Sequence, residues 1–116
     1  MSKKFEINLL NKRTGYDSEL MKEIFLIFKS KYQEYFDLIQ MRYNDNDWVG
    51  ISEVAHRAKS SVAIMGMEII REAFNEIETI ASDGTEIPDF EKRLSSLHND
   101  IIEAISQIED YIQQLD

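Results

Sequence analysis

The stretch Asp47-Trp48-Val49-Gly50-Ile51-Ser52-Glu53-Val54-Ala55-His56-Arg57-Ala58-Lys59-Ser60-Ser61-Val62-Ala63-Ile64-Met65-Gly66 reads as one helix with a dry side and a wet side. At 100° per residue, Ile51, Val54, Ala58, Val62 and Met65 gather on one flank and form the stripe that must be buried. Asp47 stands where a helix begins, and Gly66 interrupts the pattern. His56 falls opposite the apolar stripe. Its own face carries Val49, Ser52, Glu53, Lys59, Ser60 and Ala63, with Arg57 beside it, all small or polar apart from the valine at one end.

Working outward, the segment after Gly66 predicts a helix over 67–81 with Ile69, Ala73, Phe74, Ile77 and Ile80 facing inward. Upstream, Leu20, Ile24, Ile27, Phe28, Tyr35, Leu38 and Ile39 recur at three-and-four spacing and predict a long helix over 18–43, started by Asp17 or Ser18 and stopped by Asn44-Asp45-Asn46-Asp47. Ser82-Asp83-Gly84-Thr85 is a turn. Pro88 fits the first turn of a last helix over 87–115, where its missing N–H is not needed. That helix has a seam at Phe90, Leu94, Leu97, Ile101, Ile105, Ile108, Ile112 and Leu115. A short helix over 5–12 precedes the break at Gly15. The expected fold is all-α: one domain over residues 1–116, an antiparallel up-down four-helix bundle with an additional short N-terminal helix.

Composition narrows the function. The chain has 116 residues, 22 acidic against 13 basic for a net charge of -9, and no cysteine. A chain of this length buries roughly 65% of its unfolded surface and needs no covalent staple. The absent cysteines exclude disulfides, thiolate metal sites and cysteine catalysis. The acidic balance opposes a phosphate-backbone footprint, so nucleic acid is not an expected partner. No stretch reaches the ~20 apolar residues of a membrane span, and the N-terminal segment turns polar at Asn8 before a signal peptide could form. A cytoplasmic protein is expected, and a monomer, with a dimer left open.

Chemistry is best sited at Val54-Ala55-His56-Arg57-Ala58-Lys59-Ser60-Ser61. A lone helical histidine is usually a surface or half-buried residue with no task. Here the ammonium of Lys59 lies one turn on, within reach of the oxygens of a phosphate carried on the ring. Ser60 is small enough to leave room for a visiting protein.

These residues resemble the pattern of the histidine phosphotransfer (HPt) domain family, Ala-His-x-x-Lys-Gly followed by a glycine six residues later. The chain has Ala55-His56-Arg57-Ala58-Lys59-Ser60, then Gly66. Asp47-Trp48, eight residues before the histidine, resembles the start of the family's histidine-bearing helix. The order of five helices extends the likeness over nearly the whole chain. Ser60 departs from the family glycine; its hydroxymethyl group adds little bulk at a docking contact.

The resemblance implies that His56 is a phosphoacceptor, that Lys59 stabilises the phosphate, and that Ser52, Glu53, Arg57, Ser60, Ala63 and Asn75 border the docking surface. In the chemotaxis-kinase branch of the family a glutamate on the next helix orients the imidazole, and Glu78 stands at the corresponding place. An ordinary imidazole, titrating near 6.5, offers a neutral nucleophilic nitrogen at cytosolic pH. The chain carries no Gly-rich phosphate loop and no acidic metal cluster, so the family likeness makes it a phosphocarrier and not an enzyme. Partners would be response-regulator receiver domains and a hybrid sensor histidine kinase. No cofactor is expected on this chain; magnesium belongs to the receiver.

Rival readings are weaker. Glu53-Val54-Ala55-His56 has the Glu-x-x-His spacing of di-iron bundles, but the residue three before His98 is Ser95, so the second half of such a site is missing. Asp45-Asn46-Asp47 resembles the start of a calcium loop, yet Val49 takes the fifth position and His56 that of the bidentate glutamate. The alternative that stays open is a non-catalytic helical adaptor, or a degenerate HPt domain that binds receivers without accepting phosphate. His98 borders the apolar seam with Ile101 where a lysine would be needed, and reads as a packing or surface residue.

Overall fold

Two acidic caps set the main starts of the chain. The Asp17 carboxylate accepts from the backbone N–H groups of Glu19 and Leu20 and begins α2, Ser18–Asn44. The Asp47 carboxylate accepts from Gly50 N–H at 2.9 Å and begins α3, Trp48–Ile64. Each cap satisfies donors that the first turn leaves unpaired. A Cβ on Gly50 would lie 2.3 Å from the Asp47 carboxylate, so a side chain there would push the capping group from its present position. The computed structural model describes residues 4–115, and within them α1 spans Ile7–Arg13, α4 Glu68–Ala81 and α5 Phe90–Gln114, with no strand among the described residues.

The four longer helices close a cycle of packing in which α2 meets α3, α3 meets α4, α4 meets α5 and α5 returns to α2. The α3 stripe is buried as its spacing requires: Ile51, Val54, Ala58, Val62 and Met65 are all inside, joined by Ala55. Each large apolar side chain so enclosed contributes roughly 1.5–3 kcal/mol against conformational entropy. Phe36 of α2 meets Phe74 of α4 at 6.1 Å across the core. At one end Tyr43, Trp48 and Phe90 form an aromatic cluster with centroids 5.1–5.6 Å apart, which ties the start of α5 to the turn between α2 and α3.

Helix α1 lies across the other end. Glu6 N–H donates to the Gly66 carbonyl at 2.8 Å, the Arg13 guanidinium donates to the Ala63 carbonyl, and Leu10 is fully enclosed. Gly66 has φ +74°, and a Cβ there would lie 2.7 Å from the Glu6 carbonyl. This glycine is therefore fixed twice over, by its left-handed backbone and by the chain that crosses it.

Several sequence expectations need correction. In α4 the inward residue is Ile70, at 1% exposure, while Ile69 stands out at 59%. Neighbouring isoleucines fit the period almost equally, and the packing partner decides between them. In α2 Leu20 and Ile27 are exposed, and Met21, Phe25 and Phe36 fill the interior instead. Pro88 precedes α5 rather than opening it: Ile87 and Phe90 are both buried, and Asp89 turns the chain between them with φ +55°. Phe5 is buried ahead of α1, whose helix starts only at Ile7. Leu115, expected on the α5 seam, is exposed beyond the last helical residue.

Candidate functional site

His56 stands in the middle of α3 on the side away from the core, with 62% of its side chain exposed. Glu78, near the end of α4, reaches across from the neighbouring helix. Its Oε2 lies 2.8 Å from His56 Nδ1, and its Oε1 lies 2.6 Å from Lys59 Nζ. Lys59 Nζ also donates to Asn75 Oδ1 at 3.2 Å, one turn earlier on α4. Thus His56, Lys59, Asn75 and Glu78, predicted from the sequence as one site, meet in a single hydrogen-bonded group spanning two helices.

The electrostatics follow from this arrangement. The ammonium of Lys59 and then the His56 ring hold the Glu78 carboxyl below the ordinary glutamate range, against the opposing effect of its partial burial. Glu78 is therefore an anion at neutral pH and can only accept. The proton in the 2.8 Å contact must then sit on His56 Nδ1. In the neutral ring this leaves the lone pair on Nε2, which Glu78 does not engage.

The remaining predicted residues divide. Glu53, Arg57 and Ser60 are exposed around His56. Ser60 Oγ–H leans back to the His56 carbonyl at 3.4 Å and so lies along its own helix. Ala63 is half-buried, and its carbonyl is taken by Arg13. Ser52, expected at the docking surface, lines the groove beside His56 but is only 7% exposed, and its hydroxyl donates to the Glu78 backbone carbonyl at 2.8 Å. It stands on the histidine's side of α3, and that edge is largely covered by α4.

A shallow groove of about 460 Å³ runs beside His56, bordered also by Arg42, Glu53, Arg57 and Glu78. Arg42 comes from the last turn of α2 and was not anticipated. It is fourteen residues from the histidine, and only the folding back of α3 brings it there. The groove thus carries two arginines and two glutamates, and Arg42 Nε also lies 4.0 Å from the Asp47 carboxylate. Among the described residues no group of three or more His, Cys, Asp and Glu side chains is arranged to hold a metal ion. No described helix is long and apolar enough to cross a membrane.

Comparison with curated proteins finds no match, and comparison with solved structures finds none either. A family model does match, that of the Hpt domain, over residues 23–116, which takes in all of α3, α4 and α5 and most of α2. With the greater part of the sequence covered, the chain belongs to the Hpt domain family.

Proposed function

We propose that this chain is a phosphocarrier of a two-component relay, taking a phosphoryl group on His56 Nε2 from one receiver domain or kinase and passing it to another. The observation that carries the reading is the pairing of His56 Nδ1 with the Glu78 carboxylate on an exposed helix face. That contact makes Nε2 the nucleophile and directs it away from Glu78. Membership of the Hpt domain family supports the same role.

In the forward step the Nε2 lone pair attacks phosphorus of an aspartyl phosphate on the partner. The N–P bond forms as the acyl O–P bond breaks, and the aspartate leaves as a carboxylate. The imidazole then carries a positive charge that Glu78, 2.8 Å from Nδ1, stabilises. Positioning and neutralisation of the transferred group are the main demands of such chemistry. The partner receiver supplies its magnesium and most of the catalysis, which makes the chain a carrier rather than an enzyme. Lys59 assists through Glu78 in the resting state and can turn to the phosphate oxygens once the group arrives. Glu53, Arg57 and Ser60 border the docking surface. The reading includes a monomeric cytoplasmic protein of one domain, with the three-residue turns 45–47 and 65–67 reversing the chain into an up-down antiparallel bundle.

The test is to incubate the protein with receiver domains carrying radiolabelled aspartyl phosphate. Label that is acid-labile and base-stable should appear on the wild type and be absent from His56→Gln. Stable receiver binding without any label would favour the degenerate, docking-only domain.

A further inference from the structure

Ser52 is largely covered, yet it sits at the hinge of the site. It lies one turn before His56 on α3, and its hydroxyl is spent on the carbonyl of Glu78, the residue whose carboxylate holds the imidazole. Glu78 lies in the last turn of α4, where its carbonyl accepts the Ser52 hydroxyl in a contact that is partly buried between the two helices. The Ser52 side chain is itself 7% exposed, so its hydroxyl has little access to water and the Glu78 carbonyl is the partner that satisfies it. One residue is thereby held at both its ends by α3: the main chain by Ser52, and the side chain by His56 and Lys59.

We infer that Ser52 is a positioning residue: its hydroxyl clasps α4 to α3 at Glu78 and fixes the height at which the Glu78 carboxylate meets His56 Nδ1. The inference rests on the proposed role of His56 only for its consequence in transfer. Its structural content, control of the imidazole tautomer, is independent of any partner. Without the clasp the end of α4 is held to α3 by the packing of Ile77 and Ala81, and a small slide or tilt is no longer opposed by a hydrogen bond at Glu78. A shift of about 1 Å lengthens a 2.8 Å hydrogen bond beyond useful range. The ring then populates both tautomers, and Nε2 is no longer reserved as the nucleophile.

The experiment records 15N NMR spectra of the histidine ring at neutral pH in the wild type, Ser52→Ala, Glu78→Gln, the double variant, and Ile77→Val. The last variant thins the buried face of α4 without touching the clasp. The wild type should show Nδ1 protonated, and Ser52→Ala should move His56 toward a tautomer mixture. Adding Ser52→Ala to Glu78→Gln should change nothing more, because the carboxylate is already gone. Ile77→Val should leave the tautomer as in the wild type. Where transfer is measurable, Ser52→Ala should slow it about three- to tenfold, the worth of one hydrogen bond. An unchanged His56 spectrum in Ser52→Ala overturns the inference. So does an equal shift in the Glu78→Gln background or in Ile77→Val, since either would show that Ser52 does not act through Glu78. Absence of phosphate acceptance with the expected tautomer changes would overturn the relay and leave the clasp standing.

Discussion

The two histidines of this chain make a natural comparison. His56 and His98 both lie in the middle of long helices, yet their surroundings differ in kind. His56 projects from α3 with a carboxylate on Nδ1 and an ammonium on the far oxygen of that carboxylate. His98 lies against aromatic rings, edge to face with Phe36 at 4.6 Å and stacked near Tyr32 at 6.1 Å, with Gln33 Oε1 at 3.3 Å from Nε2. Aromatic rings and an amide contact one ring, and a carboxylate paired with an ammonium holds the other. The same side chain packs between α2 and α5 in one place and stands as a candidate nucleophile beside α4 in the other, and the difference lies in what the neighbouring helix presents together with the lysine one turn along α3.

That contrast can be broken most decisively by exchanging the two losses. His56→Gln should reduce phosphate acceptance to background while changing unfolding free energy by no more than about 0.5 kcal/mol, as expected for an exposed residue off the core. His98→Gln should retain acceptance. Label persisting on His56→Gln would erase the distinction.

The next effect in size concerns Glu78. Glu78→Gln keeps the shape but removes the charge that fixes the ring, and transfer should fall about 10- to 100-fold, the usual range for residues that orient a reacting group. The same variant carries a signature in stability. The folded Glu78 carboxyl is held below its ordinary value of 4.5, so its network stabilises the fold above that pH, and the contribution disappears as pH falls through the lower folded value. Urea denaturation should find the wild type more stable than Glu78→Gln at pH 7 and the gap narrowing below about pH 4.5. A gap constant from neutral pH down to pH 3 would deny the ion pairs any energetic role.

Lys59→Ala should have a smaller effect, slowing transfer about tenfold in stopped-flow measurements, as for one charge-assisted hydrogen bond. Stability should fall less than transfer, because removing the lysine opens the freed Glu78 oxygen to solvent while His56 keeps the other. Equal transfer rates would remove Lys59 from the site. At the other histidine the sign reverses: His98→Ala should cost about 1–2 kcal/mol in thermal or urea unfolding through lost aromatic contacts, with transfer unaffected. A His98→Ala variant as stable as the wild type would show the aromatic packing to be incidental.

The sequence disclosed the helix order because its signals are local. Asp17 and Asp47 cap, Gly66 breaks, and the α3 stripe has one clear phase. Phase was lost where apolar residues are adjacent, as with Ile69 and Ile70, or where α2 offers more apolar residues than its neighbours can cover. At the site, His56 and Lys59 were legible as one turn of one helix. Glu78, twenty-two residues away, was reached only through a family resemblance. Ser52 shows the limit most plainly: its helical angle placed it beside His56, and nothing local disclosed that the backbone of α4 would lie on top of it. Arg42 was missed for the same reason, since its approach to the groove exists only in three dimensions.

The central claim is that Glu78 protonates neither nitrogen but holds the proton on Nδ1, leaving Nε2 to carry phosphate. It is tested most directly by phosphorylating the 15N-histidine-labelled protein from a receiver domain and reading the phosphorus–nitrogen coupling by NMR. The account requires one phosphoramidate, on Nε2 of His56. Phosphate bonded to Nδ1 of that ring, or carried by His98, would contradict it.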